Sequence, residues 1–128
     1  MMNETLDATQ EAPRGRLSSD GIRTVTSSTF SSLVLEGRGP IAVEFMSYGC
    51  AHCRTIDPIL RQVAEMVKSK EKIFRVNIAV EQELANSYDI RGTPTLIMFL
   101  NGRELARIEG PSPSVSSVLT AVTQPFES

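Results

Sequence analysis

Two thiols three residues apart, Cys50 and Cys53, are the side chains in this chain best suited to covalent chemistry. On the first turn of a helix, positions i and i+3 share a face, so the two sulfurs can close into a small ring or open to a dithiol. Three influences at such a place favour ionisation of Cys50: the partial positive charge of the helix N-terminus, the unpaired backbone N–H groups there, and the Cys53 sulfur as a hydrogen-bond donor. Cys50 is therefore the expected attacking thiolate. Cys53, one turn deeper, is the expected resolving thiol that breaks a mixed disulfide and releases the reduced partner. Two plainer readings stand beside this one. A static disulfide closing so short a loop would stabilise by only about 2 kcal/mol in the chain-entropy model. A metal site could use Cys50, His52 and Cys53, but no further Cys or His exists, and structural zinc takes four protein ligands unless two chains share an ion or cluster. No metal and no other cofactor is expected.

The elements that must hold this pair follow from periodicity. Residues 1–20 carry only Leu6 and Leu17 as larger aliphatics among polar residues, Pro and Gly, and read as a disordered arm, so that the compact domain spans 21–128. Ile22 to Val25 suits a short edge strand. Ser27 or Ser28 can cap a helix with Phe30, Leu33 and Val34 on its apolar face, ending at Gly37 and Gly39. Ile41 to Met46 is a β-favouring run broken only by Glu44, as in a central strand covered on both faces. A long helix follows from Cys50, with Ile56, Leu60, Val63, Ala64 and Val67 in one stripe, Lys68, Lys70 and Lys72 near its end, and Pro58 expected to kink it. Ile73 to Ile78 alternates as a strand, and Glu81 to Tyr88 is a short helix. Thr95 to Leu100 and Arg103 to Ile108 form a hairpin around Asn101-Gly102. Val115, Val118, Leu119 and Val122 set out a last helix. The order β-α-β-α-β-α-β-β-α predicts an α/β fold with a mixed sheet and helices on both faces. Met46 and Met98 read as core filling.

Composition narrows the partners. At 128 residues one domain is expected, since domains run to roughly 100 to 200 residues. Thirteen basic against fifteen acidic residues give a net charge of −2, which leaves no broad basic face for nucleic acid. The longest apolar run, Leu96 to Leu100, is far short of the about 20 residues of a membrane helix and of the about 7 of an export-signal core. A soluble cytoplasmic monomer is the expectation, although a chain from which a signal had been removed would read the same.

The segment VEFMSYGCAHCRTIDPIL resembles the active-site strand and helix of the thioredoxin family, and YDIRGTPTLIMFLNGRE resembles that family's Thr-Pro loop and hairpin. The likeness spans roughly residues 22 to 124. It implies a central mixed sheet of about five strands flanked by four helices. It also implies that Pro94 is a cis-proline beside the thiols, and that the Thr93 backbone there offers a strand-like edge to an extended substrate. Tyr48, Gly49 and Gly110-Pro111 are expected to border that groove. Glu44 stands six residues before Cys50, where thioredoxins usually carry a buried Asp. Among Ile41, Val43 and Phe45 its carboxyl is costly as an anion, so its pKa should rise toward the range useful for proton transfer with Cys53. The alternative is that the longer Glu side chain reaches the surface, or Arg75, which matches a Lys often found beside that acid and can only hold charge.

The likeness has departures. The family's usual Trp-Cys-Gly-Pro-Cys is Gly49-Cys50-Ala51-His52-Cys53 here, and the chain has no Trp. His52 is similar to the intervening residues of disulfide isomerases and periplasmic oxidants. An imidazole beside Cys50 would tune the thiolate and lift the reduction potential above about −270 mV, toward about −180 mV. The first functional expectation is an enzyme that reduces protein disulfides through Cys50 and Cys53, with disulfide-containing proteins as substrates and a thioredoxin reductase as electron donor. The alternatives are a disulfide oxidant or isomerase outside the cytosol, and a non-catalytic module that holds a partner strand or a shared cluster.

Overall fold

The computed structural model describes residues 21–127; the expected arm at 1–20 lies outside the described residues. Its strands are β1 (Arg23–Thr24), β2 (Pro40–Met46), β3 (Lys72–Asn77), β4 (Thr95–Leu100) and β5 (Arg103–Glu109). Its helices are α1 (Ser27–Phe30, continued by a π-helical turn Ser31–Leu35), α2 (Ala51–Val67), α3 (Gln82–Ser87) and α4 (Val115–Thr123). One five-stranded sheet runs β1-β3-β2-β4-β5. β3 pairs parallel with both β1 and β2, where helices separate the strands. β2–β4 and β4–β5 are antiparallel. The expected mixed sheet with four helices is what forms.

Alternation along the strands sorts the core into two layers. Ala42, Ile73, Leu96 and Met98 face the stripe of α2 (Ile56, Leu60, Val63) and Val118 and Val122 of α4. Ile41, Val43, Phe45, Phe74, Val76, Ile97 and Phe99 face Phe30 and Val34, with Leu84 and Tyr88 packed beside them. β3 does not show the alternation of a half-exposed strand. Ile73 to Val76 are all buried, because β3 lies between two strands with helices on both faces.

Local details depart from the sequence reading where a distant partner intervenes. The N-cap of α1 is Thr26, whose N–H donates to Thr29 Oγ1 at 2.9 Å, and not Ser27 or Ser28. Ser27 is held elsewhere, its N–H and hydroxyl both donating to Glu81 Oε1 at 3.0 and 2.8 Å. α2 runs for 17 residues with Pro58 inside it, on the exposed side. The Asn101-Gly102 turn has both residues at positive φ, 51° and 84°, as the two-residue hairpin turn demands. Glycine is required at 102 for a second reason, since a Cβ there would overlap the Leu35 carbonyl oxygen.

Candidate active site

β2 delivers the chain to the C-terminal edge of the sheet, where Ser47 to Gly49 turn it into α2. Cys50 is the N-cap of that helix, with extended φ/ψ of −86° and 117°. A cap position aims the side chain at the free N–H groups of the first turn. Accordingly, the Cys53 N–H donates to Cys50 Sγ at 3.1 Å. The Cys50 thiol reaches across to the Thr93 carbonyl at 3.5 Å. Both cysteines are free thiols; Cys50 is half-buried, and Cys53 is only 2% exposed.

The two sulfurs are driven in opposite directions. Burial alone would raise the Cys50 pKa, but it is outweighed by hydrogen bonds with the Cys53 and Thr93 side chains and from the backbone N–H groups of Cys53 and His52. The result lies below the ordinary 9.0. For Cys53 burial dominates, and the hydrogen bond and charge of Cys50 add to it. Its pKa rises to about 11.

Three segments surround the thiols. Tyr48 and Gly49 precede them and are exposed, Tyr48 at 63%, and the Tyr48 carbonyl accepts from Arg54 Nη1 at 3.0 Å. The Thr93–Pro94 peptide is cis, with Pro94 buried. Gly110, at φ 55°, donates its N–H to the Pro94 carbonyl at 2.8 Å and so joins the loop after β5 to the Thr93–Pro94 loop. The His52 ring Nε2 lies 3.1 Å from the Pro111 carbonyl, and the group of His52 that hydrogen-bonds Cys50 is its backbone N–H.

Glu44 is 1% exposed, in β2 and in register with Arg75 of β3. It does not reach solvent. Arg75 Nε stands 3.6 Å from Glu44 Oε1, and its Nη2 donates to Asp57 Oδ1 on α2 at 2.9 Å. Asp57, 39% exposed by side chain, also faces Arg61 at 3.5 Å. The sequence reading did not single out Asp57 or Arg54. Asp57 and Arg61 have helical i,i+4 spacing, but the tie from Asp57 to Arg75 depends on how α2 lies across β3. Among the described residues no group of three or more His, Cys, Asp or Glu is arranged to hold a metal. Two clefts, of about 370 and 480 Å³, lie at the far end of α2, where both include Glu71.

The chain is similar in sequence to known proteins. A family model described as Thioredoxin matches residues 21–122. The chain is 33% identical over 92 residues to Thioredoxin 1 of Nostoc sp., covering 72% of this chain and 86% of that protein. It is 36% identical over 84 residues to the thioredoxin of Pseudomonas aeruginosa, covering 66% and 78%. With the chloroplastic M-type thioredoxin of Brassica napus it shares 33% identity over 96 residues, 75% of this chain and 54% of the relative. Since the matched span takes in every strand, both cysteines and Pro94, the chain belongs to the thioredoxin family.

Proposed function

We propose that this protein reduces protein disulfides by dithiol–disulfide exchange, with Cys50 as nucleophile and Cys53 as resolving thiol. The Cys50 thiolate attacks one sulfur of a substrate disulfide. The substrate S–S bond breaks, one substrate thiolate leaves and is protonated, and Cys50 is joined to the other substrate sulfur. Cys53 then gives up its proton and attacks Cys50 Sγ, so the mixed disulfide breaks and the second substrate thiolate leaves. Two electrons have passed to the substrate, and Cys50 and Cys53 hold the disulfide, which a thioredoxin reductase would reduce. The observation that carries this reading is the opposed drive on two sulfurs of one helical turn: hydrogen bonds hold the Cys50 pKa below its ordinary value, while burial holds Cys53 as the thiol until needed.

Glu44 is assigned as the acceptor of the Cys53 proton; it is a buried carboxyl on the strand that leads to the thiols, and Arg75 holds charge beside it. His52 tunes the thiolate through its backbone N–H. The substrate is assigned to the groove bordered by Tyr48, Gly49, Thr93, Pro94 and Gly110, lying extended along the Thr93–Pro94 edge. In the resting thiol the Thr93 carbonyl accepts from Cys50. Ionisation removes that donor and leaves the carbonyl open to a substrate N–H. The working form is assigned as a monomer in a reducing compartment such as the cytosol, where exchange runs toward reduction. No described helix is long and apolar enough to cross a membrane. The hydrogen bonds that favour the thiolate also favour the reduced form, so the couple is expected above about −270 mV.

Two variants test the assignment. Cys50→Ser should abolish reduction of a protein disulfide. Cys53→Ser should form mixed disulfides that persist on a non-reducing gel, because resolution is lost. Retained activity in the first, or adducts carried through residue 53 in the second, would overturn it.

A further inference from the structure

We propose that the His52 side chain is a positioning residue for the substrate groove, strapping the start of α2 to the loop between β5 and α4. The Pro111 carbonyl can only accept, so the ring nitrogen 3.1 Å from it is the protonated one, Nε2–H. The same ring lies against Gly110, where a Cβ would come within 3.4 Å of His52 Cε1 and 3.7 Å of Nδ1. The φ of 55° at Gly110 lies in the left-handed region that glycine enters without a steric penalty. Gly110 in turn donates to the Pro94 carbonyl at 2.8 Å, and the Cys50 thiol meets the Thr93 carbonyl at 3.5 Å. The contacts close a ring: Cys50 to Thr93, Pro94 to Gly110, Pro111 to His52, and back along α2 to Cys50. His52 thus fixes the third wall of the groove relative to the nucleophile.

The strap does not depend on ring charge, because Nε2 carries a proton in both the neutral and the cationic imidazole. This separates it from electrostatic tuning of the thiolate by the ring. The inference rests on the reading of this groove as the substrate-binding surface. An extended protein substrate spans Thr93, Pro94 and Gly110 at once, so loosening the third wall should weaken its binding more than the chemistry at Cys50.

The test compares His52→Ala and His52→Gln with the wild-type protein in dithiothreitol-driven reduction of insulin, and measures the pH midpoint of Cys50 alkylation in all three. Glutamine keeps an N–H donor within reach of the Pro111 carbonyl and removes the imidazole ring. His52→Ala is expected to raise KM for insulin about tenfold while kcat moves less than about threefold, as for a lost positioning hydrogen bond. His52→Gln is expected to recover most of that KM, with an alkylation midpoint that coincides with that of His52→Ala. Equal damage in both variants, carried in kcat together with a raised alkylation midpoint, would overturn the strap and assign the side chain to thiolate tuning. Failure of the wild-type protein to reduce insulin, with Cys50 still alkylated rapidly, would overturn the groove reading and the strap with it.

Discussion

The two ends of α2 treat buried ionisable groups differently. At its start Cys50 is half-buried, yet its pKa falls, because the burial penalty is outweighed by donors that include the backbone N–H groups of the first turn. Beyond its end Glu71 is 7% exposed, its carboxyl oxygen Oε2 has no hydrogen-bond partner, and burial pushes its pKa up to about 8. A helix N-terminus presents free donors, whereas the opposite end presents free carbonyls, which have nothing to offer a carboxylate. Lys70 and Glu71 already donate their own N–H groups to the Val67 carbonyl, at 2.8 and 2.9 Å. Burial is common to both ends, and the supply of donors decides which way each pKa moves.

The largest expected effect sharpens the active end. With Cys53 at about 11 and Cys50 below 9.0, a short iodoacetamide pulse on the reduced protein at pH 7 should label Cys50 at least about 100-fold faster. Peptide mass spectrometry reads the two sites separately. Comparable rates at 50 and 53 would remove the distinction between attacking and resolving sulfurs.

At the far end the prediction concerns stability. A carboxyl whose folded pKa of about 8 lies above its ordinary 4.5 makes the folded state hold more protons than the unfolded state between those values. Its contribution is therefore intact below about pH 4.5 and is lost as pH rises toward 8, by a total on the order of 2 to 3 kcal/mol after allowing for solvent screening. Glu71→Gln removes the titration and keeps the shape. In urea denaturation at pH 5, 7 and 9, the variant should match the wild type at the lowest pH and exceed it by a growing margin at the higher two. Parallel stability curves would mean that Glu71 finds a partner in solution and that the two ends are not so different.

The same contrast explains what could be read from the sequence. Element order, sheet type and the thiol pair were legible because they rest on local signals: period-2 and period-3.6 apolar patterns, the Asn101-Gly102 turn, and the i, i+3 cysteines at a helix start. The cap of α1 is Thr26, one or two residues before the expected Ser27 or Ser28, and Ser27 turns instead to Glu81, 54 positions away. The register shift between Met98 and Phe99 left no compositional mark. Glu44 was recognisable as a buried carboxyl, and its alternative partner Arg75 proved to be beside it. The third member, Asp57, was not seen, because its role depends on the side-chain direction of an α2 residue over β3. Glu71 sits among Lys68, Lys70 and Lys72, a charged run with no apolar signal of its own, and only the packing of that loop shows it buried.

The smallest expected effect returns to the active end, where a buried carboxylate does have a cation. Arg75 faces Glu44 at 3.6 Å and Asp57 at 2.9 Å, while only 6% of its side chain is exposed. Removing one carboxylate leaves the other opposite the guanidinium, so Glu44→Gln and Asp57→Asn should each be mild, about 1 kcal/mol or less. Removing both withdraws two anions that face a buried cation, which is costlier than weakening one contact. The double variant should therefore lose more than the sum of the singles, by about 1 to 2 kcal/mol in a urea-denaturation cycle at pH 7. Additivity within about 0.5 kcal/mol would show that the carboxylates act independently and that Arg75 does not couple the interior to Asp57 at the surface. Glu71→Gln combined with either single variant supplies the control. It lies at the other end of α2, away from Glu44 and Asp57, so its effect should simply add.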